Sequence, residues 1–251
     1  MQKNLFSVEG KTICVTGASS GIGRAVSTML CEAGANVIAV ARRADALQQW
    51  KDEAVGNAEI VAADLSDIDT LPDLALDICK PFGPVDVLIN AAGLNTRQHA
   101  DAVTFEGWRN TLDINLNAPF FLAQSLVPMM KEKGWGRIIN FGSLQSRRAF
   151  ANGIAYGASK GGVDQLTRAM AEAWSKDGIT ANALAPGFFP TELTAPVFGD
   201  SELADKNANQ TCIGRNGTMD DLTGPVLFLC SDASNYVTGQ MLYVDGGFTA
   251  K

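Results

Sequence analysis

Thr12-Ile13-Cys14-Val15-Thr16-Gly17-Ala18-Ser19-Ser20-Gly21-Ile22-Gly23 is the stretch whose reading decides the fold. Its first five residues are a short β-prone, largely apolar run bounded by turn formers, the pattern of a buried strand. Gly17, Gly21 and Gly23 follow at once, and from Arg24 to about Ala33 the chain reads as a helix that Gly34 ends. Asn36 to Ala41 is a second strand. Strand, glycine-rich turn, helix, strand is the opening unit of a doubly wound dinucleotide-binding sheet. The glycines let the backbone turn sharply and approach a pyrophosphate, whose charge the helix N-terminus attracts. Gly17, Ser19, Ser20, Gly21, Ile22 and Gly23 are therefore expected against a cofactor.

The alternation continues outward. Apolar runs at 59–63, 85–90, 136–141, 180–185 and 241–244 read as strands, and segments at about 70–80, 105–133, 154–175 and 220–229 as helices. Pro119 is expected to break or bend the long third segment. Residues 188–217 show little periodicity and read as a mobile lid. The expected fold is α/β: a single-domain Rossmann-type, doubly wound parallel sheet of about seven strands with helices on both faces. The cofactor-binding half is expected over 10–140 and the catalytic and lid part over 141–251.

Composition narrows the function. Of 251 residues, 46% are hydrophobic and 19% charged, enough to bury a substantial core. A net charge of -7 argues against nucleic acid or an anionic membrane as partner, since both attract basic surfaces. No apolar run approaches the ~20 residues that span a bilayer. The N-terminus lacks the apolar core of a signal peptide, so a cytoplasmic location is expected. Five scattered cysteines without a C-x-x-C, and the single His99, offer no zinc set, so no metal is expected.

Candidate chemistry centres on Asn152-Gly153-Ile154-Ala155-Tyr156-Gly157-Ala158-Ser159-Lys160. Side chains at i and i+4 share one helix face, so Tyr156 and Lys160 can point into one pocket. A free tyrosine titrates near ~10, and a fixed positive charge nearby favours its phenolate. Such a phenol can exchange a proton with an alcohol or ketone oxygen. Ser143 ends a strand, where ligands bind in open α/β sheets.

Together with Asn90-Ala91-Ala92-Gly93, Asn115, Pro186-Gly187 and Thr191, these motifs stand in the order of the short-chain dehydrogenase/reductase family, which the chain resembles over essentially its full length. The resemblance implies that Tyr156 is the acid/base and that Ser143 orients the substrate oxygen. It implies that Lys160 binds the nicotinamide ribose and lowers the Tyr156 pKa. Asn115 would kink its helix and hold a water in a proton relay. Cofactor contacts are implied at Asp64 and Leu65, at Asn90, Ala91 and Gly93, at Pro186, Gly187, Phe189 and Thr191, and at Tyr156 and Lys160 themselves. Asn90 reads equally as a tie between strands, and Asp64 as a cap. A homotetramer paired through the helices of Asn115 and Tyr156 is implied too. A non-catalytic nucleotide-binding sensor or scaffold is the competing class, and the intact tetrad speaks for an enzyme.

NAD-dependent relatives of this fold carry an acid at the end of the second strand. Here that place reads Val40-Ala41-Arg42-Arg43, and a guanidinium fork suits a 2′-phosphate, so NADP(H) is expected over NAD(H). Two points run against this: Ala18-Ser19-Ser20 lacks a basic residue, and Arg42 and Arg43 also read as solvated loop charges. The small-molecule carbonyl or alcohol substrate is expected near polar segments containing Asn95, Gln145 and Arg148, with Arg97, His99 and Arg147 close by. Such donors suit a hydroxylated or anionic molecule. Residues 186–194 and 242–247 resemble the sugar-acid branch of the family, which contains gluconate 5-dehydrogenase, and in part its 3-oxoacyl-[acyl-carrier-protein] reductases.

Overall fold

In the computed structural model, which describes residues 4–251, seven strands form one parallel sheet. They are β1 (Thr12–Thr16), β2 (Asn36–Ala41), β3 (Asn57–Ala62), β4 (Val87–Asn90), β5 (Gly136–Phe141), β6 (Ile179–Pro186) and β7 (Met241–Val244). Their order is β3-β2-β1-β4-β5-β6-β7. The chain winds outward from β1, returns to lay β4 against the other side of β1, and then winds the opposite way. That reversal opens a crevice at the C-terminal ends of the two central strands, the place where ligands bind in such sheets.

Strand side chains alternate between the two faces. Ile13, Val15, Val37, Ala39, Val87 and Ile89 pack with helices α1 (Gly21–Glu32), α2 (Ala44–Glu53) and α9 (Thr223–Cys230). Cys14, Ile38, Val40, Leu88 and Ile138 pack on the other face with α3 (Leu71–Cys79), α5 (Ala118–Lys133) and α6 (Ile154–Trp174). Burial on both faces explains why central strands such as β1, β2 and β4 read as largely continuous apolar runs rather than as alternating ones.

The long helical segment is indeed interrupted, but ahead of the proline. Helix α4 (Phe105–Leu112) passes into a π-helical turn at Asp113–Asn117 before α5 begins. Pro119 lies in the first turn of α5, where its missing N–H costs nothing. Two helices are short and mostly polar. In α2 only Leu47 and Trp50 are buried, and in α8 (Ser201–Gln210) only Asn207. Helix α8 is announced instead by its cap, with the Asp200 side chain accepting from the Leu203 N–H at 3.1 Å. The segment read as an aperiodic lid is thus a folded flap: a 3-10 turn at Glu192–Thr194, a single turn α7 (Ala195–Phe198), and α8. Among the described residues no helix is long and apolar enough to cross a membrane.

Candidate active site

Close backbone packing builds the floor of the crevice. Gly17 has a φ of +71°, and a Cβ there would lie 2.7 Å from Ala92 Cα. A Cβ on Gly23 would lie 2.3 Å from the Gly17 carbonyl oxygen. Thr16 Oγ1 ties the two segments by accepting from the Ala92 N–H at 3.2 Å. Above them lies a cleft of about 870 Å³, bordered by Gly17, Ser19 to Gly23, Arg42, Arg43, Asp64, Leu65, Ala91 and Gly93, then Asn95, Ser143, Gln145, Tyr156 and Lys160, and on the flap side Pro186, Gly187, Phe189 and Thr191. A glycine cradle at a helix N-terminus, opening into a cleft of this size, suits a dinucleotide.

Three expected site residues are not on its surface. Asn90 is buried and spends its side-chain amide on Asn140 Oδ1 (2.9 Å) and the Pro119 carbonyl (3.4 Å), so it ties β4 to β5 and to α5 rather than touching a cofactor. Arg148 donates to the Phe248 carbonyl at 3.3 Å with its guanidinium 5.0 Å from that ring, so it belongs to the C-terminal packing rather than to a substrate site. Asn115, within the π-helical turn, lies behind the cleft wall. It clamps Leu94 through both ends of its amide, accepting from the N–H at 2.7 Å and donating to the carbonyl at 2.9 Å, and donates also to Ser159 Oγ at 2.9 Å. A π-turn widens a helix locally, which lets this side chain reach the loop after β4.

Ser143 ends β5 and caps the turn after it, its Oγ accepting from the Gln145 N–H at 3.1 Å. The same hydroxyl acts on the Tyr156 phenol and favours its ionised form. Tyr156 and Lys160 lie buried on one face of α6, the ammonium 5.7 Å from the ring centroid, with Lys160 Nζ donating to the Phe141 carbonyl at 2.6 Å. The electrostatics depart from expectation. Burial pushes the Tyr156 phenol above its ordinary pKa; the Ser143 hydrogen bond and the Arg97 charge pull it back, and Lys160 is not among the groups that do. Lys160 is itself pushed down to about 8 by burial. The apolar wall that disfavours a phenolate disfavours the ammonium as well.

That depression has a measurable consequence. The unfolded chain keeps the Lys160 proton up to about 10.4, the folded chain only to about 8. Between these values the unfolded state binds more protons, so stability rises with pH, and the full cost is present below pH 8. Lys160→Met should remove that rise, worth on the order of 3 kcal/mol across the window. Urea denaturation of both proteins at pH 7 and 10 checks it; equal pH slopes would contradict the assignment.

Arg43 and Arg42 border the cofactor end. Arg42 Nη1 lies 3.8 Å from Asp64 Oδ2, and Asp64 also accepts from the Ser66 N–H (3.0 Å) and hydroxyl (2.8 Å), which holds its carboxyl below the usual range. At the catalytic end stands Arg97, which the sequence marked only as one polar neighbour among several. Its φ of +50° is left-handed, a conformation that costs a non-glycine residue ~1–2 kcal/mol, and its N–H bonds Asn95 Oδ1 at 3.1 Å. Its guanidinium donates to the Leu193 carbonyl of the flap at 2.6 Å. Strain of this kind gathers at functional sites. His99 remains an exposed loop residue whose Nδ1 accepts from the Asp101 N–H.

Comparison with known proteins agrees with this architecture. Residues 17–249 match the family model described as Enoyl-(Acyl carrier protein) reductase. The chain is 39% identical over 249 residues to gluconate 5-dehydrogenase of Gluconobacter oxydans, covering 98% of this chain and 97% of that one. It is 34% identical over 250 residues to 2-dehydro-3-deoxy-D-gluconate 5-dehydrogenase of Escherichia coli, covering 98% of each. Among solved structures, gluconate 5-dehydrogenase of Burkholderia cenocepacia in complex with NADP and tartrate superposes with a TM-score of 0.93 at 34% identity, covering 99% of this chain and 98% of that one. A short-chain type dehydrogenase/reductase of Mycobacterium marinum gives 0.91 at 32% identity, covering 99% of each. The chain belongs to the short-chain dehydrogenase/reductase family and is an oxidoreductase acting on CH–OH donors.

Proposed function

We propose that the protein is an NADP(H)-dependent dehydrogenase of sugar acids, interconverting a secondary alcohol and a ketone on a small hydroxylated carboxylate. Arg97 is the observation that carries the reading: a strained arginine on the cleft wall whose charge acts on the Tyr156 phenol. A guanidinium fork there suits a substrate carboxylate. Asn95, on the cleft wall, adds a polar group suited to hydroxyls. The Gluconobacter and Escherichia relatives are named for sugar acids, and the Burkholderia structure holds NADP with tartrate, a hydroxylated diacid. The paired Arg42 and Arg43, with no acid at the end of β2, suit the 2′-phosphate of NADP(H).

Held by the glycine loop, Arg42 and Arg43, NADP+ would supply the acceptor for the hydride leaving the carbinol carbon. Tyr156 takes the hydroxyl proton of the alcohol through its phenolate oxygen, and Ser143 donates a hydrogen bond to the same substrate oxygen. In reduction Tyr156 returns that proton, and the two hydroxyls hold the charge developing on oxygen. Lys160, buried on the same helix face as Tyr156, would hold the ribose side of the cofactor. Asn115 sets the Leu94 loop from behind. The enzyme would assemble as a homotetramer through α4, α5 and α6, a reading supported by the exposed Phe105, Phe121 and Ile154 on those helices and by the slim Gly157 and Ala158. Its five unpaired thiols suit a reducing cytoplasm.

The test compares NADP+ reduction with a six-carbon aldonate and with the polyol of equal length. Arg97→Met should raise KM for the aldonate about 10- to 100-fold, the loss of a charged hydrogen-bonded pair, and leave the polyol within about 3-fold. Equal effects on both would remove the carboxylate reading. A higher kcat/KM with NAD+ than with NADP+ would remove the cofactor reading.

A further inference from the structure

The flap turn at Glu192–Thr194 carries a carboxylate that the proposed reaction leaves without a task. Glu192 reaches the cofactor end of the cleft and sits in the fork of Arg43: Nη1 donates to Oε1 and Nη2 to Oε2, both at 3.0 Å. Ser20 of the glycine loop adds a third donor, its hydroxyl reaching Oε2 at 3.0 Å. Arg43 is steadied from behind, with Nε and Nη2 donating to Ser19 Oγ at 3.2 and 3.1 Å. Next to Glu192, Thr191 lies against the same loop, 3.2 Å from where a Cβ of Gly21 would be. The flap turn is therefore pinned to the glycine loop through the Glu192 carboxylate, held by Arg43 and Ser20, while Arg97 holds the Leu193 carbonyl of the same turn.

A carboxylate and a phosphate monoester offer a guanidinium fork the same pair of anionic oxygens. Glu192 thus holds donors that a 2′-phosphate on the adenosine ribose would need. The Glu192 carboxylate left beside that phosphate would repel it, so the two anions exclude each other on Arg43. We propose that Glu192 is an internal competitor of the cofactor's 2′-phosphate, a specificity-determining residue whose displacement from Arg43 loosens the flap turn. A cofactor without the 2′-phosphate leaves the Arg43–Glu192 pair in place. The inference rests on the reading of Arg42 and Arg43 as the 2′-phosphate site and adds a residue that works against it. Both partners are about half exposed (48% and 64%), so the pair is weak enough for a ligand to break.

Calorimetric titration with adenosine 2′,5′-bisphosphate and with adenosine 5′-monophosphate isolates the 2′-phosphate without any nicotinamide. Glu192→Gln should bind the bisphosphate about 2- to 5-fold more tightly and the monophosphate unchanged, the range for release of one exposed ion pair. Arg43→Ala should weaken the bisphosphate, and Glu192→Gln added to Arg43→Ala should change nothing more. Hydrogen exchange over residues 190–198 should rise when the bisphosphate binds wild type, and not when it binds Glu192→Gln. A Glu192→Gln protein that gains nothing for the bisphosphate, or gains equally for both ligands, overturns the proposal while leaving Arg43 as the phosphate site. Equal affinity of wild type for the two ligands would instead remove the 2′-phosphate site itself, and the competitor with it.

Discussion

Tyr156→Phe should lower kcat about 10²- to 10⁴-fold in both directions, the range for losing one general acid–base group, while cofactor affinity stays within about 3-fold. The substitution keeps the ring that fills the wall between Ser143 and Lys160 and deletes only the oxygen that moves the proton. Because the phenol lies buried in an apolar wall, the change should cost little stability, and a thermal melt close to wild type shows that the loss is chemical. pH gives a second readout. Oxidation needs the phenolate, so kcat/KM for the alcohol should climb with pH as the phenol ionises; reduction needs the phenol and should fall over the same range. Burial holds this phenol above its ordinary pKa, with only Ser143 and Arg97 opposing, so in the free protein the climb should continue into strongly alkaline solution. In Tyr156→Phe the pH dependence due to this group disappears. Turnover equal to wild type would dismiss the acid/base assignment, and the oxidoreductase would have to find its proton elsewhere.

Gly17→Ala should damage fold and function together. The left-handed backbone at this position costs a side chain about 1–2 kcal/mol, and forcing a methyl to 2.7 Å from Ala92 Cα adds about 1–3 kcal/mol, because backbone on the far side cannot rotate away. A loss of about 2–5 kcal/mol corresponds to a fall in Tm of roughly 5–15 °C for a chain of this size. The glycine loop and the segment after β4 would be pushed apart, and the loop is what brings backbone N–H groups to a pyrophosphate. Dinucleotide affinity should therefore drop by at least about 10-fold, more than the melt alone would suggest. Gly224→Ala is the control, since a Cβ there meets nothing within 4 Å. If both variants melt and bind like wild type, the close approach is not what the loop requires.

Legibility in the sequence follows the physics of each signal. Strands buried on both faces, such as Thr12–Thr16 and Asn36–Ala41, announce themselves because nearly every residue is drawn from an apolar or β-prone set. Tyr156 and Lys160 fall on one face because helical spacing is a local property. Helices α2 and α8 are faint in the sequence because each is ten residues long, mostly polar, and fully buries only one or two side chains. The π-turn at Asp113–Asn117 leaves no compositional mark of its own; the family resemblance placed the kink at Asn115, inside it, and Pro119 lies just beyond.

At the site, the same division holds residue by residue. Arg148 and Arg97 look alike in sequence, each an arginine in a polar loop. Only folding turns the first against Phe248 and sets the second beside the phenol. Asn90 belongs to a cofactor motif, yet the packing of β5 against β4 claims its amide for Asn140. The Arg43–Glu192 pair joins residues 149 positions apart, and no local pattern could have linked them.

What the chain determined by itself is whatever depends on near neighbours: the alternation of strands and helices, the glycine turn, the Tyr156 and Lys160 face, and with these the family and its chemistry. Tertiary structure alone decided which charges face the cleft and how burial weighs against them. Desolvation and ion pairing depend on what packs around a group from distant parts of the chain, and that is why Lys160 is driven towards neutrality and Arg43 is held by Glu192.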